Sequence, residues 1–501
     1  MTSSLDNPLV GKHSDLIGRL QKLFIHGQWQ DGTSGESIPV YDPSNGRQIS
    51  QLTSANAADV DQAVSSAKSR FHSAEWAKMK PTERQRLLLR LADLIAEHAD
   101  ELAELESIDN GKPVLAARQA DLNNAIEFVR YMAGWATKIS GQTLDVSVPR
   151  LKDGEFFAYT KPQPVGVVAA IVPWNFPLVM ALWKVAPALA TGCTVVLKPA
   201  EQSSLTALRL AELVMEAGYP AGVVNVITGF GHTAGDALIN HTDIDKISFT
   251  GSVPTGKVIG RAAVDGMKRF TLELGGKSPM IIMPDVSVEQ AVQGAAMGIF
   301  YNQGQVCTAA SRLYVHQSKY HEVVDGITKM ASQMPIGPGF EHSTQIGPLI
   351  SEAHANKVAG YASLGQEEGA ELLTGGQRLD RPGYYVSPAV LANANNQMRV
   401  VKEEIFGPVL TVMPFDSTEE VIALANDSEF GLAASVWTKD LTAAHRITDN
   451  VQAGISWVNC HNVLDPNLPF GGVGFSGIGR ELGAASIEAY MEPRSVMMRL
   501  A

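Results

Sequence analysis

The chain has 501 residues, of which 45% are hydrophobic and 18% are charged. This composition predicts a soluble globular protein of two or three domains with ample core. The formal net charge of −12 argues against nucleic acid or an anionic membrane as a partner. Three cysteines are too few for a disulfide framework, and the cysteines and histidines lack the spacing of a zinc site, so no metal is expected.

No targeting or membrane segment is expected from the sequence. Residues 1–10 lack the basic and apolar regions of a secretory signal. The longest apolar run, residues 167–183, is interrupted by Pro173, Asn175 and Pro177, which makes it a poor membrane-spanning helix. A cytoplasmic location is therefore the simplest prediction.

The first half of the chain predicts a parallel sheet. An amphipathic helix is expected over residues 81–109, with Pro81 in its first turn and Asn110-Gly111 at its end. From residue 164, short apolar runs alternate with helical patterns, which is typical of a parallel sheet with helices on both faces. The predicted strands are 165–172, 194–197, 223–227, 246–250 and 269–272, and the predicted helices are 178–190, 205–217 and 233–240.

A second alternating series begins at residue 278 and predicts a second α/β domain. Gly275-Gly276 marks the boundary, so a cleft is expected there, where small ligands usually bind. The predicted strands are 280–282, 313–315, 408–415, 434–438 and 455–459, and the predicted helices are 288–300, 320–330 and 418–426.

Cys307 and Glu273 are the first candidates for chemistry. Cys307 lies in the run Gly304-Gln305-Val306-Cys307, and Glu273 is followed by two glycines. A lone cysteine is usually a buried core thiol. A nucleophile and a possible base, each on backbone suited to close approach, instead suggest covalent catalysis.

Polar residues also follow three of the predicted strands. Asn175 lies between two prolines, either in a tight turn or as an amide donor aimed at a developing oxyanion. Lys198 and Glu201 either form a solvated pair or bind the hydroxyl groups of a ribose. In the second case the carboxylate would favour NAD over NADP. The turn at residues 251–256 leads into a helix and suits a phosphate, although it is not the dinucleotide fingerprint.

Two further signals are weaker. Gly229-Phe230-Gly231 is a lesser glycine cluster of the same kind as residues 251–256. Glu403-Glu404 precedes Phe-Gly-Pro, so this pair is either surface charge or a buried turn with one carboxylate pointing inward.

Together these runs resemble the aldehyde dehydrogenase superfamily over nearly the whole chain. The resemblance implies an α/β fold with a Rossmann-like NAD-binding domain, an α/β catalytic domain and a small β oligomerisation flap. These parts correspond to residues 1–140 with 161–275, to 276–478, and to 141–160 with 479–501. The runs that carry the resemblance are residues 173–177, 198–201, 249–252, 273–277, 304–307, 404–408 and 469–472.

The resemblance implies a covalent mechanism. Cys307 would attack the aldehyde carbon, with the oxyanion held by the Asn175 amide and the Cys307 backbone N–H, and Glu273 would activate the water that hydrolyses the thioester. One alternative is a CoA-acylating semialdehyde dehydrogenase, which the presence of Glu273 argues against. Another is a non-catalytic binding protein on the same fold.

The resemblance also implies a cofactor site for NAD, with NADP as the alternative. Lys198 and Glu201 would hold the adenosine ribose, Ser252 the pyrophosphate, and Glu404 the nicotinamide ribose. The full set of cofactor contacts implied by the resemblance is Trp174, Lys198, Glu201, Gly231, Phe249, Gly251, Ser252, Gly256, Leu274, Gly275, Lys357, Glu404 and Phe406.

The substrate tunnel implied by the resemblance is lined by Phe176, Trp183, Val306, Thr308 and Phe470. Its three aromatic side chains suit an aromatic or medium-length apolar aldehyde. Within the superfamily the chain resembles bacterial phenylacetaldehyde dehydrogenases, which makes phenylacetaldehyde the expected substrate. Family members assemble through the flap, so a homotetramer is expected, with a dimer as the second choice.

Overall fold

The computed structural model describes residues 7–151 and 154–500, except for the side chain of Leu16. Its first sheet has eight strands, and the five from Arg269–Glu273 to Val224–Val226 run parallel. The order across this sheet is Gly477–Ile478, Arg269–Glu273, Lys246–Thr250, Val167–Ile171, Thr194–Lys198, Val224–Val226, Leu23–Ile25 and Gln28–Gln30. The predicted parallel sheet is therefore confirmed.

Helices cover both faces of the first sheet. Thr194–Lys198 is buried along its whole length, as a central strand of a two-sided parallel sheet must be. Pro177–Thr191 is buried at every position and ends at Gly192, whose positive φ of 96° suits glycine. The longer helices of this half are Ala57–His72, Pro81–Glu97, Ala99–Asn110, Leu122–Trp135, Pro177–Thr191, Leu205–Glu216 and Val253–Asp265.

Two predicted helices differ from those observed. The pattern over residues 81–109 forms two helices, because His98 leaves the helical conformation and its ring approaches Glu101 (Nδ1···Oε2 2.8 Å). The helix predicted at 233–240 begins as a π-helical turn, Gly231–Gly235, before the α-helix Asp236–Asn240. In both cases the apolar spacing was helical, but a local polar or glycine residue changed the backbone.

The second sheet has seven strands, all parallel except the first in its order. This confirms the second α/β series. The order is Glu371–Thr374, Ala389–Ala392, Val409–Phe415, Arg312–His316, Pro279–Ile282, Ala433–Trp437 and Ile455–Val458. Its longer helices are Val288–Phe300, Tyr320–Gln333, Glu352–Glu367, Thr418–Asn426 and Leu441–Asn450.

Three smaller sheets complete the fold. Thr143–Leu144, Phe156–Pro164 and Met491–Arg499 pair antiparallel in a sheet separate from the two large ones. The others are Leu20–Gln21 with Ser37–Asp42 and Arg47–Thr53, and Phe430–Gly431 with Val473–Gly474. Within residues 7–151 and 154–500, no helix is long and apolar enough to cross a bilayer.

Candidate active site

A cavity of about 300 Å³ lies where segments of the two large α/β units meet. Glu273 stands at the carboxyl end of its strand in the first sheet, and Cys307 follows the helix Val288–Phe300 of the second unit. Both side chains line the cavity. The two residues that the sequence predicted to face each other across a cleft are thus brought together.

An unusual backbone delivers Cys307 to the cavity. Asn302, Gln303 and Gly304 have φ values of 47°, 56° and 72°, a left-handed run that bulky residues rarely adopt. The surroundings hold it in place, since Asn302 Nδ2 donates to the carbonyl oxygens of Asn175 (3.0 Å) and Gln305 (3.3 Å). Backbone conformations of this kind persist where the neighbouring structure fixes them, often at functional sites.

The surroundings of Cys307 favour the protonated thiol over the thiolate. Burial, followed by the carboxyl groups of Glu273 and Glu404, raises its pKa to about 12, while the backbone N–H groups of Thr308 and Cys307 oppose the shift. Because the thiolate is the nucleophile, the proton must leave as the reaction begins. A proton acceptor near the sulfur is therefore required.

Glu273 is the lining carboxyl group that fits the role of a general base in this cavity. Within residues 7–151 and 154–500, neither of its carboxyl oxygens has a hydrogen-bond partner, although the side chain is buried. Burial and then the nearby Glu481 raise the pKa of Glu273 well above its usual value, while Lys184 and Arg480 oppose this. A buried, unpaired carboxyl group is free to contact a water or a ligand in the cavity.

Lys184 and Glu481 belong to this site, and the sequence did not indicate them. They form a buried ion pair, and Lys184 Nζ also donates to Thr250 Oγ1 at 2.8 Å. Glu481 lines the cavity. One signal was available, because Lys184 is the single charged residue in the apolar helix Pro177–Thr191.

Asn175 lies in the loop after the strand Val167–Ile171, beside the nucleophile loop, and is not among the described residues that line the cavity. Its Nδ2 donates to the carbonyl oxygen of Gln305 at 3.0 Å, and its buried Oδ1 has no partner. A primary amide carries two N–H donors, so one remains for a ligand. The side chain is buried against the nucleophile loop, which fits an oxyanion donor better than an exposed turn residue.

Two motif glycines make room for carboxyl groups. A Cβ atom at Gly471 would clash with Glu273 Oε1, and a Cβ atom at Gly275 would clash with the carboxyl group of Glu404. Each carboxyl group can occupy its position because the glycine opposite it has no side chain. This explains why glycine pairs occur beside Glu273 and in the run 469–472.

Several of the predicted cofactor residues follow the carboxyl ends of strands in the first sheet, whereas Lys357, Glu404 and Phe406 belong to the second unit. Lys198 ends its strand, is buried, and lies 3.9 Å from Glu201 Oε2. Burial lowers the pKa of Lys198, and Glu201 opposes this. In the part of the chain that the structure describes, Lys198 Nζ donates to the carbonyl oxygen of Pro199 (3.2 Å) and to no other acceptor, which leaves donors for a further oxygen ligand.

The glycine turn after strand Lys246–Thr250 has an open helix start beside it. Ser252 precedes the helix Val253–Asp265, and its Oγ lies 3.0 Å from Thr255 Oγ1. Two other predicted residues pack against this turn, Phe249 against Gly251 and Leu274 against Gly256. Gly231 follows a different strand, Val224–Val226, and faces open space.

Glu404 occupies the opposite side of this edge. Its Oε1 accepts a hydrogen bond from the Gly276 backbone N–H at 3.0 Å. Burial raises the pKa of Glu404 to about 7, while Gly276, Lys357 and Lys277 oppose the shift. Lys357 is thus close enough to act on this carboxyl group.

Aromatic contacts join the two sides of the same edge. Trp174 meets Phe406 edge-on at 5.3 Å, and Phe406 has a positive φ of 62°. A buried lysine with spare donors, a helix start at a glycine turn and an inward carboxyl group together fit a dinucleotide. The role of each predicted cofactor residue stays a prediction.

All five predicted substrate residues line the cavity. Trp183 and Phe470 meet edge-on at 5.2 Å, and Thr308 Oγ1 donates to Asn462 Oδ1 at 2.7 Å. Most of the wall is apolar, which suits an apolar ligand. The lining residues that the sequence analysis did not assign are Ala120, Asp121, Asn124, Val179, Met180, Thr250, Met297, Tyr301, His461, Asn462, Val463, Leu464 and Glu481.

Known proteins agree with this architecture. A model described as the Aldehyde dehydrogenase family matches residues 29–496. The chain is 49% identical over 479 residues to the phenylacetaldehyde dehydrogenase of Pseudomonas fluorescens, covering 95% of each chain. It is 45% identical over 481 residues to human retinal dehydrogenase 2, covering 96% of this chain and 92% of that one.

A solved structure is equally similar. The NAD+ complex of an aldehyde dehydrogenase from Bacillus cereus is 47% identical, with a TM-score of 0.95 over 98% of this chain and 99% of that one. The two α/β units, with a cysteine and a carboxyl group in one cavity, define an α/β oxidoreductase. The chain belongs to the aldehyde dehydrogenase family. The predicted family and fold are therefore confirmed.

Proposed function

We propose that this chain oxidises an aromatic or medium-length apolar aldehyde, such as phenylacetaldehyde, to its carboxylic acid, with NAD as cofactor. The observation that carries the proposal is the largely apolar cavity that presents Cys307 and Glu273 together. The similarity to the Pseudomonas fluorescens phenylacetaldehyde dehydrogenase supports the choice of substrate.

The first step forms a bond between Cys307 Sγ and the aldehyde carbon. The thiol proton passes to a water in the cavity as this bond forms, so the carboxyl group of Glu273 stays available for the second step. The free N–H of Asn175 and the Cys307 backbone N–H stabilise the oxyanion of the thiohemiacetal. Lys198, Glu201, Ser252 and Glu404 would hold NAD, which would supply the hydride acceptor, and loss of hydride from the thiohemiacetal carbon would leave a thioester on Cys307.

Glu273 then acts as general base toward water in the second step. Its two oxygens have no protein partner to displace, so a water between the carboxyl group and the thioester completes the geometry. Lys184 and Glu481 lie close enough to change the pKa of Glu273 in opposite directions. Through this pair the protein can balance the charge that Glu273 gains and loses.

The choice of NAD over NADP rests on Glu201. Its carboxyl group lies 3.9 Å from Lys198 Nζ, at the position proposed for the adenosine ribose. A carboxylate there accepts hydrogen bonds from a 2′-hydroxyl and repels a 2′-phosphate. The Bacillus cereus relative was solved as a complex with NAD+, which agrees with this choice.

The test is a kcat/KM series for phenylacetaldehyde, benzaldehyde, hexanal and betaine aldehyde, each with NAD and NADP and without CoA. We expect phenylacetaldehyde with NAD to give the highest value and the free acid as product. A preference for betaine aldehyde would contradict the apolar-cavity argument. Strict dependence on CoA would favour the acylating alternative, and a lack of turnover with every aldehyde would favour a binding protein.

We also propose that the chain forms a cytoplasmic homotetramer through its separate three-stranded sheet. The strand Met491–Arg499 and its continuation expose Met497 and Leu500 at 57% and 62%, which is unusual for large apolar side chains on a free surface. Light scattering after size exclusion should give four times the mass of one chain. A mass of two chains would favour the dimer over the homotetramer, and a mass of one chain would contradict both assemblies.

A further inference from the structure

A segment that follows the last strand of the second sheet reaches the residue next to the nucleophile. His461 and Asn462 come shortly after the strand Ile455–Val458, and both line the aldehyde cavity. Neither residue has a role in the two steps described above. Both contact Thr308, which directly follows Cys307 in the chain.

Two hydrogen bonds from this segment hold Thr308. His461 Nε2 lies 2.9 Å from the Thr308 carbonyl oxygen, and Thr308 Oγ1 donates to Asn462 Oδ1 at 2.7 Å. One bond is made by the backbone of Thr308 and the other by its side chain, and the residue is buried. Thr308 is therefore fixed in orientation by contacts from a distant part of the chain.

The neighbours of His461 determine which ring nitrogen carries the proton. Burial lowers the pKa of His461 to about 4, while the bond to Thr308 opposes this, so the ring is neutral near pH 7. A carbonyl oxygen can only accept, so Nε2 holds the proton and donates to Thr308. Nδ1 is then an acceptor, and the Ser435 hydroxyl donates to it at 2.9 Å. Ser435, His461 and Thr308 thus form a directed chain of hydrogen bonds.

The backbone on each side of His461 is also fixed. Asn459 has a positive φ of 56°, which asparagine tolerates, and its side chain makes two hydrogen bonds with the Thr438 backbone (2.9 and 2.8 Å). Trp457 Nε1 donates to the Val463 carbonyl oxygen at 2.7 Å, and the Trp457 ring lies 4.8 Å from the His461 ring. His461 is therefore itself held in place where it meets Thr308.

The orientation of Thr308 matters because its backbone N–H forms a hydrogen bond to the Cys307 sulfur and favours the thiolate there. We propose that His461 is a positioning residue for the nucleophile, which holds Thr308 together with Asn462 so that this N–H points at Cys307 Sγ. If Nε2 lost its donor, the Thr308 peptide could turn, and Cys307 would lose stabilisation as its proton leaves. This inference rests on the proposed role of Cys307 as the nucleophile.

The test must separate this role from a contact with the substrate, because His461 also lines the cavity. Alkylation of Cys307 by iodoacetamide makes the separation, since this small neutral reagent reacts with the thiolate and does not need the aromatic wall. Its rate is measured near neutral pH by peptide mass spectrometry, which distinguishes Cys307 from Cys193 and Cys460. The second measurement is kcat/KM for phenylacetaldehyde with NAD.

Two substitutions of His461 differ in whether they keep the donor. His461→Phe retains a ring beside Trp457 but has no N–H, and we expect alkylation of Cys307 and kcat/KM to fall together by about 10-fold, as the loss of one hydrogen bond allows. His461→Gln retains an N–H of similar reach, and it should restore both rates to within about threefold of the parent. KM for NAD should not change in either variant.

His316→Phe is the matched control. It makes the same substitution at a histidine of the second sheet whose ring contacts Ser318 and which is not among the described residues that line the cavity. Both rates should stay at the parent values. Thermal unfolding checks that every variant folds.

The outcomes separate this inference from the proposed function. Alkylation at the parent rate in folded His461→Phe would overturn the inference even if aldehyde oxidation fell, because His461 would then act only on the substrate. A fall that His461→Gln does not reverse would also overturn it. If His461→Phe does not fold, Ser435→Ala decides, since it removes the donor to Nδ1 and should slow alkylation about threefold, whereas an unchanged rate would overturn the inference. Changes in alkylation in an enzyme that oxidises no aldehyde would remove the proposed function and leave the support of Cys307 by His461.

Discussion

Carboxyl groups at the catalytic end of the cavity differ in their hydrogen bonding from those at the cofactor edge of the first sheet. Both oxygens of Glu273 are buried and unpaired, whereas Glu404 accepts a backbone hydrogen bond at 3.0 Å and Glu201 lies near Lys198. An unpaired buried carboxyl group costs free energy that a bound water or substrate can recover. The comparison suggests that reacting groups are kept unpaired, while binding groups are held in place beforehand.

Removing the nucleophile is the strongest challenge to this comparison. Cys307→Ala should lower kcat for aldehyde oxidation by at least about 10⁴-fold, because covalent attack is lost while the rest of the site stays intact. The measurement is steady-state NADH formation. Cys460→Ser is the matched control, since Cys460 does not line the cavity, and it should retain activity. Equal rates for Cys307→Ala and the parent would exclude the mechanism.

Glu273→Gln tests whether the unpaired carboxyl group is the base. Hydrolysis of the thioester should slow by about 10³-fold, because the amide cannot accept a proton from water. Rapid mixing should show a burst of about one NADH per active site and then slow turnover. Glu403→Gln is the control, since Glu403 pairs with Arg399 and Tyr361 away from the cavity lining. Slow turnover without a burst would assign Glu273 to the first step instead.

Asn175→Ala tests the remaining polar group at the catalytic end. Losing one oxyanion donor should lower kcat by about 10²- to 10³-fold. KM should change little, because the amide acts on charge that develops in the transition state. Since Asn175 also donates to Gln305, the alkylation rate of Cys307 by iodoacetamide serves as a check. A large fall in that rate would mean that the variant displaced the nucleophile loop.

Sequence patterns predicted the parts of the site that lie at strand ends. Asn175, Lys198 and Glu273 each follow or end a buried apolar run, and parallel strands bring such ends to one edge. The glycine runs beside them marked backbone that must pass close to a carboxyl group. These features are local, so a single sequence contains them.

The remaining parts depend on contacts between distant segments or on irregular backbone. Lys184 and Glu481 are 297 positions apart, and nothing in either segment indicates the other. Asp121 lines the cavity from the π-helical turn Ala117–Asp121. No periodic pattern of apolar residues in the sequence indicates such a turn. The break at His98 is local instead, where the ring contacts Glu101 three positions on, and the apolar stripe does not indicate it.

The smallest predicted effect concerns Glu404 at the cofactor edge. Burial raises its pKa to about 7 from the usual 4.5, so the folded state binds more protons than the unfolded state between these values. The contribution of Glu404 to the free energy of unfolding is therefore fully present below about pH 4.5. It is lost as the pH rises toward 7, and the loss is about 3 kcal/mol at most. Glu404→Gln keeps the acceptor for the Gly276 N–H but does not ionise. The fall in Tm between pH 5 and 8 should consequently be several degrees smaller in the variant than in the parent. Parallel Tm profiles would mean that Glu404 titrates normally, and that the cofactor edge does not hold its carboxyl group as the structure indicates.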